Sequence, residues 1–353
     1  MKHHSLPEGP SRFTTRATAF PLTFIGLFTL AASSSLLAID KTWAPTNNGN
    51  GTIKWSNSGT WTNGTPTSSD TAFIGNNTHG ADITYDAAAA APAGLVFRRT
   101  DGTTTVVTIS SGLTFSAGTT LFASGSTTIT GAGTFATNNL HVASGATFTR
   151  TNTGGGLAIS GILSGSGTIA GAINVSGTHS VGDTFAYGAV NSNNFGRTGG
   201  IGSQTVNGTL TYNAGSIFAW DLSTATSDPG SGASNQGSYD QLSATTLAGA
   251  VGTQTFQILL SGSTFANAFW DTNKTWSNIV SAGGSTLQGI FDTFGGGSVA
   301  ADGTVVGQGQ FSFAGNNLVW TAIPETSTAL AGLLVAAGLL QRRRSTAPLA
   351  LIS

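Results

Sequence analysis

The chain has no cysteine. That excludes a disulfide framework, a thiol nucleophile and any Cys-ligated metal centre. Charge is scarce as well: 8% of the 353 residues are charged, against about 25% in an ordinary soluble protein. With no basic stripe to meet a phosphate backbone, a nucleic-acid partner is excluded. Glutamate is nearly missing. Glu8 and Glu325 are the two in the sequence, so residues 39–322 lack the commonest glycosidase acid. Glu, Lys, Gln, Met and Arg, which favour helices, are all sparse. Their scarcity disfavours a helical bundle, a coiled coil and a dinucleotide-binding α/β fold.

What the chain does hold is glycine, 50 residues of it, with many Thr and Ser, 20 Phe and 39% apolar residues. It can bury a core, and its local preferences are for short strands ended by Gly, Ser or Asn. From about Thr103 to Val181 the text repeats: TTVVTIS, GLTFSAG, TTLFASG, STTITGAG and similar segments follow one another. Gly-Thr-X or Gly-Ala-Thr steps fall at Gly118, Gly133, Gly145 and Gly167, spaced by 15, 12 and 22 residues. Leu113-Thr-Phe115 and Ile173-Asn-Val175 alternate apolar and polar residues. Each rung of such a chain hides its apolar face against its neighbours, while Thr and Ser line the outside and Gly turns the corners. The expectation is an all-β fold: a right-handed parallel β-solenoid, or β-helix, with aromatic end caps. Trp43, Trp55 and Trp61 belong to the opening cap, and residues 216–322, with Trp220, Trp270, Trp276 and Trp320, form the final rungs and closing cap. An antiparallel sandwich is the alternative.

The two ends read as addresses. Lys2, Arg12 and Arg16 precede an uncharged apolar stretch, residues 17–32, and small residues follow. This is the pattern of a secretory signal peptide, with cleavage after Ser34 or, preferably, Ala38. At the other end, IPETSTALAGLLVAAGLLQRRR occupies residues 323–344. The apolar run 329–340 would rise about 18 Å as a helix, short of a hydrocarbon core of roughly 30 Å. Arg342, Arg343 and Arg344 belong on the cytoplasmic side.

Pro324, Glu325, Thr326 and Ser327, the apolar helix and the arginine cluster together resemble the PEP-CTERM sorting tail. The resemblance implies recognition by an exosortase-type membrane protease, after export through the Sec translocon. The protein would be held transiently at the inner membrane and then released or attached at the cell surface. Ser345–Ser353 continue past the arginines, where such tails usually stop. The segment before the tail resembles exported proteins with autotransporter-associated β-strand repeats. The residues behind this are Trp55, Trp61, Gly64, Pro66 and Asp70, with GSGTIAGAINVSGTHSVGD at 165–183, LTYNAGSIFAWDL and SYDQL. The chain divides accordingly into a signal peptide (1–38), an N-terminal β cap (39–102), β-strand repeats (103–215) and a C-terminal β region with cap (216–322). The sorting tail (323–344) and a short extension (345–353) complete it.

A search for chemistry yields little. His79, His141 and His179 have no metal spacing and read as surface or turn residues. Asp82 and Asp86 read as solvated turn acids, and Arg98 and Arg99 beside Asp101 form the one charged cluster to inspect. No catalytic, cofactor-binding or metal-binding residue is assigned, and no cofactor is expected. The sequence points to a non-catalytic surface or extracellular-matrix protein, structural or adhesive, whose hydroxyl-rich face meets extracellular polysaccharide. The alternatives are a β-helix polysaccharide lyase or hydrolase, which needs clustered Asp, and a carbohydrate-binding module, which needs exposed Trp.

Overall fold

The computed structural model describes residues 40–42, 53–75, 82–151, 155–184, 200–222, 239–249, 254–260 and 264–323, with positions 334, 335, 337 and 339 of the tail. Apart from a closing cap, the described strands are parallel and belong to two long sheets. The first sheet stacks ten strands in the order Asp40–Thr42, Thr71–Ile74, Gly94–Arg98, Thr114–Ser124, Thr134–Val142, Ile162–Gly165, Thr178–Val181, Ile217–Leu222, Gln254–Leu260 and Phe291–Gly295. The second sheet runs from Ile53–Lys54 through Asp82–Tyr85, Thr104–Ile109, Ser126–Gly131, Thr147–Arg150 and Thr168–Ala170 to Ser203–Tyr212, Gln241–Gly249 and Val280–Gly284. The fold is therefore all-β and a parallel solenoid, and a sandwich is excluded.

Ser203–Tyr212 pairs with Thr168–Ala170 over one half and with Ile173–Val175 over the other. Thr114–Ser124 pairs with Thr134–Val142 over two stretches separated at Gly118. These long strands wrap around corners, so each coil passes three strand segments. The register gives the repeat length. Thr104 pairs Ser126, Ser126 pairs Thr147 and Thr147 pairs Thr168, steps of 22, 21 and 21 residues. Thr168 to Thr205, Thr205 to Ser243 and Ser243 to Ser281 are steps of 37, 38 and 38. The repeat is regular in space, and the uneven spacing of the glycine steps in sequence does not measure it. The extra residues of the last three coils all enter at one corner, between a first-sheet strand and the next second-sheet strand.

Side chains in register form columns. Ala72, Leu95, Thr120, Leu140, Leu163, His179, Phe218, Phe256 and Phe294 make one interior column, all buried. Neighbours in such columns stand one rung apart, about 4.8 Å. The register partners Phe97 and Phe122 stack at that spacing, and Phe122 stacks in turn on Phe148 from the second sheet, with centroids 4.8 and 4.5 Å apart and rings 11° and 14° from parallel. The outward column of the first sheet runs Phe73, Val96, Leu121, His141, Ser164, Ser180 and Ala219, and is buried too. Two-sided burial is why strands such as TAFI and GLVFR read as continuous apolar runs.

The closing block departs from the parallel pattern. Lys274–Trp276, Asn317–Ala322, Gly309–Ala314 and Thr304–Val305 form an antiparallel sheet. Trp270, Trp276, Trp320 and Phe311 pack beneath it, with the Trp320 ring 4.7 Å from Phe311 and 5.1 Å from Trp270. At the opposite end Trp55 meets Trp61 edge-on at 4.6 Å and Phe115 at 4.9 Å. The six described tryptophans are all buried; Trp43 lies outside the described residues. Aromatic rings thus cover open apolar ends, and the six offer no stacking platform for sugar.

Candidate functional site

The face most suited to contact with a partner is the outer side of the second sheet. Thr104, Ser126, Thr147, Thr168, Thr205, Ser243 and Ser281 are register partners on seven successive coils. All seven are exposed or half-exposed. The next outward column adds Thr128, Thr149 and Asn207, each partly or fully exposed. The intervening positions, Thr127, Phe148, Ile169 and Val206, point inward and are buried. Period-two alternation therefore holds the hydroxyls on one side, and the parallel register spaces them about 4.8 Å apart along the solenoid. Chemically this is an uncharged row of hydrogen-bond donors and acceptors, matched to an extended polyhydroxyl chain.

The histidines are placed differently from the expectation. His79 lies outside the described residues, but His141 and His179 are buried, not at turns or on the surface. His179 sits in the interior column where a hydrocarbon would otherwise stand. Its Nδ1 lies 2.6 Å from the Tyr212 hydroxyl and its Nε2 2.8 Å from Gln204 Oε1. Gln204 Nε2 donates to the Ser164 and Gly165 carbonyls. Carbonyls cannot donate, so the amide orientation is determined, and Oε1 must accept from His179 Nε2–H. Nδ1 then accepts from Tyr212. Burial lowers the His179 pKa to about 4, against a smaller upward pull from the Gln204 hydrogen bond. The imidazole is neutral and fully bonded, a packing element rather than an acid or base.

A second polar group stands at the corner where the long excursions leave. His141 Nδ1 lies 2.9 Å from Ser164 Oγ, and Ser180 Oγ donates to Asp183. Burial lowers the His141 pKa to about 4, with Asp183 pulling upward. Asp240 accepts from Gly202 N at 3.0 Å and Asp221 N at 2.9 Å, and Asp183 accepts from Gly200 N at 3.1 Å. Burial drives the Asp240 pKa to about 9; the neighbouring charges of Asp221 and Asp183 push the same way, while backbone donors oppose. Asp183, Asp221 and Asp240 are all buried. This clustering of three acids was invisible in sequence, because residues 183, 221 and 240 are far apart and meet through stacking. Asp240 takes two backbone N–H groups of the corner and Asp183 one, and together they clasp it.

Arg99, Asp101 and Asp86 brace turns, whereas Asp82, expected at a turn, begins the strand Asp82–Tyr85. Arg99 donates from Nε and Nη2 to Asp101 at 2.6 and 3.0 Å and from Nη1 to the Thr104 carbonyl. The guanidinium and the bonds from Thr103 hold the Asp101 carboxyl well below the usual carboxylate range. Asp82 is exposed; Asp86 accepts from Ser56 N and Oγ, bonds that lower its pKa although burial opposes them. Among the described residues no group of three or more His, Asp or Glu is placed to hold a metal ion.

Ala38, Pro324, Glu325, Thr326, Ser327, Arg342, Arg343 and Arg344 lie outside the described residues. Leu334, Val335, Ala337 and Leu339 of the apolar run are helical and exposed. Among the described residues no helix is long and apolar enough to cross a membrane. The described fold places the chain among parallel β-solenoid proteins. Comparison with family models, with curated proteins and with solved structures finds no match.

Proposed function

We propose that this chain is an exported bacterial cell-surface or extracellular-matrix protein, structural or adhesive, and not an enzyme. Its solenoid, right-handed in this reading, presents the Thr104–Ser281 hydroxyl column to extracellular polysaccharide. The observation that carries the reading is that column: seven coils place a hydroxyl at the same outward position while their loop lengths differ. At one-rung spacing the row offers a partner chain a regular series of hydrogen-bond donors and acceptors. A signal peptide ending at Ala38 and the tail from Pro324 to Arg344 supply export and sorting. The signal segment and the apolar tail act as helices, the Sec translocon carries the chain out, and an exosortase-type protease processes the tail at the inner membrane.

The test is co-sedimentation with insoluble exopolysaccharide from a producing bacterium. The wild-type protein is expected to pellet with the polymer. Replacing Thr147, Thr168 and Thr205 together by Glu should lower the bound fraction about tenfold, the equivalent of 1.4 kcal/mol. Equal pelleting of the triple variant would overturn the assignment of the face. Release of soluble sugar during incubation would overturn the non-catalytic reading in favour of a hydrolase or lyase.

A further inference from the structure

Among the described residues, the exposed large hydrophobic side chains fall in one stretch of the sequence. The exposed large hydrophobic residues among those described are Val306, Ile323, Leu334, Val335 and Leu339, at 89, 52, 65, 62 and 60% exposure. All fall within residues 306–339. The last three belong to the apolar tail, but Val306 and Ile323 belong to the folded cap. Val306 follows Thr304–Val305 in a tight turn that Gly307 completes at φ +75°. Gln308 N closes that turn on the Val305 carbonyl at 3.0 Å, and Ile323 N donates to the Gln308 carbonyl at 2.8 Å. The last described residue before the tail is thus hydrogen-bonded to the turn that carries the most exposed valine.

We infer that this turn and Ile323 form a lipid-contacting foot, on which the solenoid stands with its C-terminal cap against the bilayer. The inference rests on the reading of residues 329–340 as membrane-inserted. Ile323 and Ala329 are six residue steps apart, a reach of at most about 22 Å when fully extended. An inserted run therefore holds the cap within that distance of the interface, and Val306 shares the anchoring point. A lone aliphatic side chain held out by a tight turn gains nothing in water, whereas transfer out of water is favourable at roughly 25 cal/mol per Å². Beside the turn lies an open cleft of about 630 Å³ lined by Ile258, Leu260, Phe265, Val305 and Val306, so the apolar character continues inward. The charges of the cap select the lipid. Asp271, Asp292 and Asp302 outnumber Lys274, and Lys274 lies 4.5 Å over the Phe269 ring. The cap has no basic cluster for anionic headgroups, and a zwitterionic surface is the fitting partner.

The absence of native cysteine permits a clean test. The full chain carries one Cys at a time, as V306C, L334C or T104C, labelled with an environment-sensitive fluorophore. It is then reconstituted into phosphatidylcholine vesicles that contain a lipid-borne quencher. The expected result is strong quenching at 306 and 334 and none at 104, on an early coil. Quenching at 334 with none at 306 would overturn the foot and leave the inserted tail standing. Quenching at neither would overturn both. Equal quenching at 104 and 306 would show the solenoid lying flat and would overturn the end-on arrangement.

Discussion

His179 occupies a place in a column of Leu and Phe, and it is tolerated there because every polar atom of the ring has a partner. The chain Tyr212–His179–Gln204 ends on two main-chain carbonyls, with every side-chain donor in it used. Such networks are costly when broken, since the orphaned atom keeps its desolvation penalty. Tyr212→Phe removes the donor to Nδ1 and leaves a buried acceptor bare. Chemical denaturation should show a loss of about 1–3 kcal/mol. A variant as stable as the parent would mean that Tyr212 does not donate to the ring, and the tautomer derived above would be wrong. Asp240 and His141 illustrate the same rule at the corner, where backbone N–H groups and Ser164 take the place of Tyr and Gln.

At the level of a single coil, glycine is required where one rung presses on the next. Gly165 ends the strand Ile162–Gly165 at φ +104°, and a Cβ there would stand 2.1 Å from the Val142 carbonyl oxygen of the preceding coil. Gly145 turns its corner at φ +76° with nothing within 4 Å of such a Cβ. Alanine at 145 meets conformational strain alone, of order 1–3 kcal/mol. Alanine at 165 meets that strain and a main-chain collision. Thermal melts should rank Gly165→Ala clearly below Gly145→Ala, and the reverse order would show that the coils can separate to admit a methyl group. The coil also explains the difficulty of reading the repeat. Strand length and corner chemistry are local and visible, but coils of 21 and 38 residues differ by excursions that leave the strand register intact.

For the whole molecule the buried ionisable groups combine into a pH profile. His141 and His179 titrate at about 4 when folded, against 6.5 when free. The unfolded chain therefore binds more protons over that interval, and stability falls as pH drops from 6.5 towards 4. Asp240 behaves oppositely, being raised from 3.8 to about 9. The folded chain keeps its proton across that window, so this group makes stability fall as pH rises from 3.8 towards 9. Two protons outweigh one below 6.5, and the single carboxyl acts above it. Calorimetry from pH 4 to 9 should find the highest Tm near 6.5, with declines of similar steepness on either side, because the net difference is one proton on each limb. Asp240→Asn should flatten the alkaline limb. A Tm still climbing at pH 8 would contradict the buried, protonated state of Asp240.

The sequence by itself determined the all-β class and favoured a parallel stack over a sandwich, because Thr, Val, Ile and Phe alternate in short runs between Gly corners. Those are nearest-neighbour preferences that need no tertiary information. The sequence also placed the aromatic clusters at the ends, where large rings cover apolar layers that have no further coil above them. The parallel pairing itself was settled by the register of distant strands. Three further things depended on the tertiary structure. The coil length comes from register between distant strands, so the glycine spacing could not supply it. The burial of His141 and His179 comes from the face each occupies and from partners 23 to 33 residues away. The joining of Asp183, Asp221 and Asp240, and the alignment of seven hydroxyls from Thr104 to Ser281, come from stacking alone. Hydrogen bonding between coils converts residues far apart in the chain into neighbours one rung apart, and no local pattern records which residues those will be.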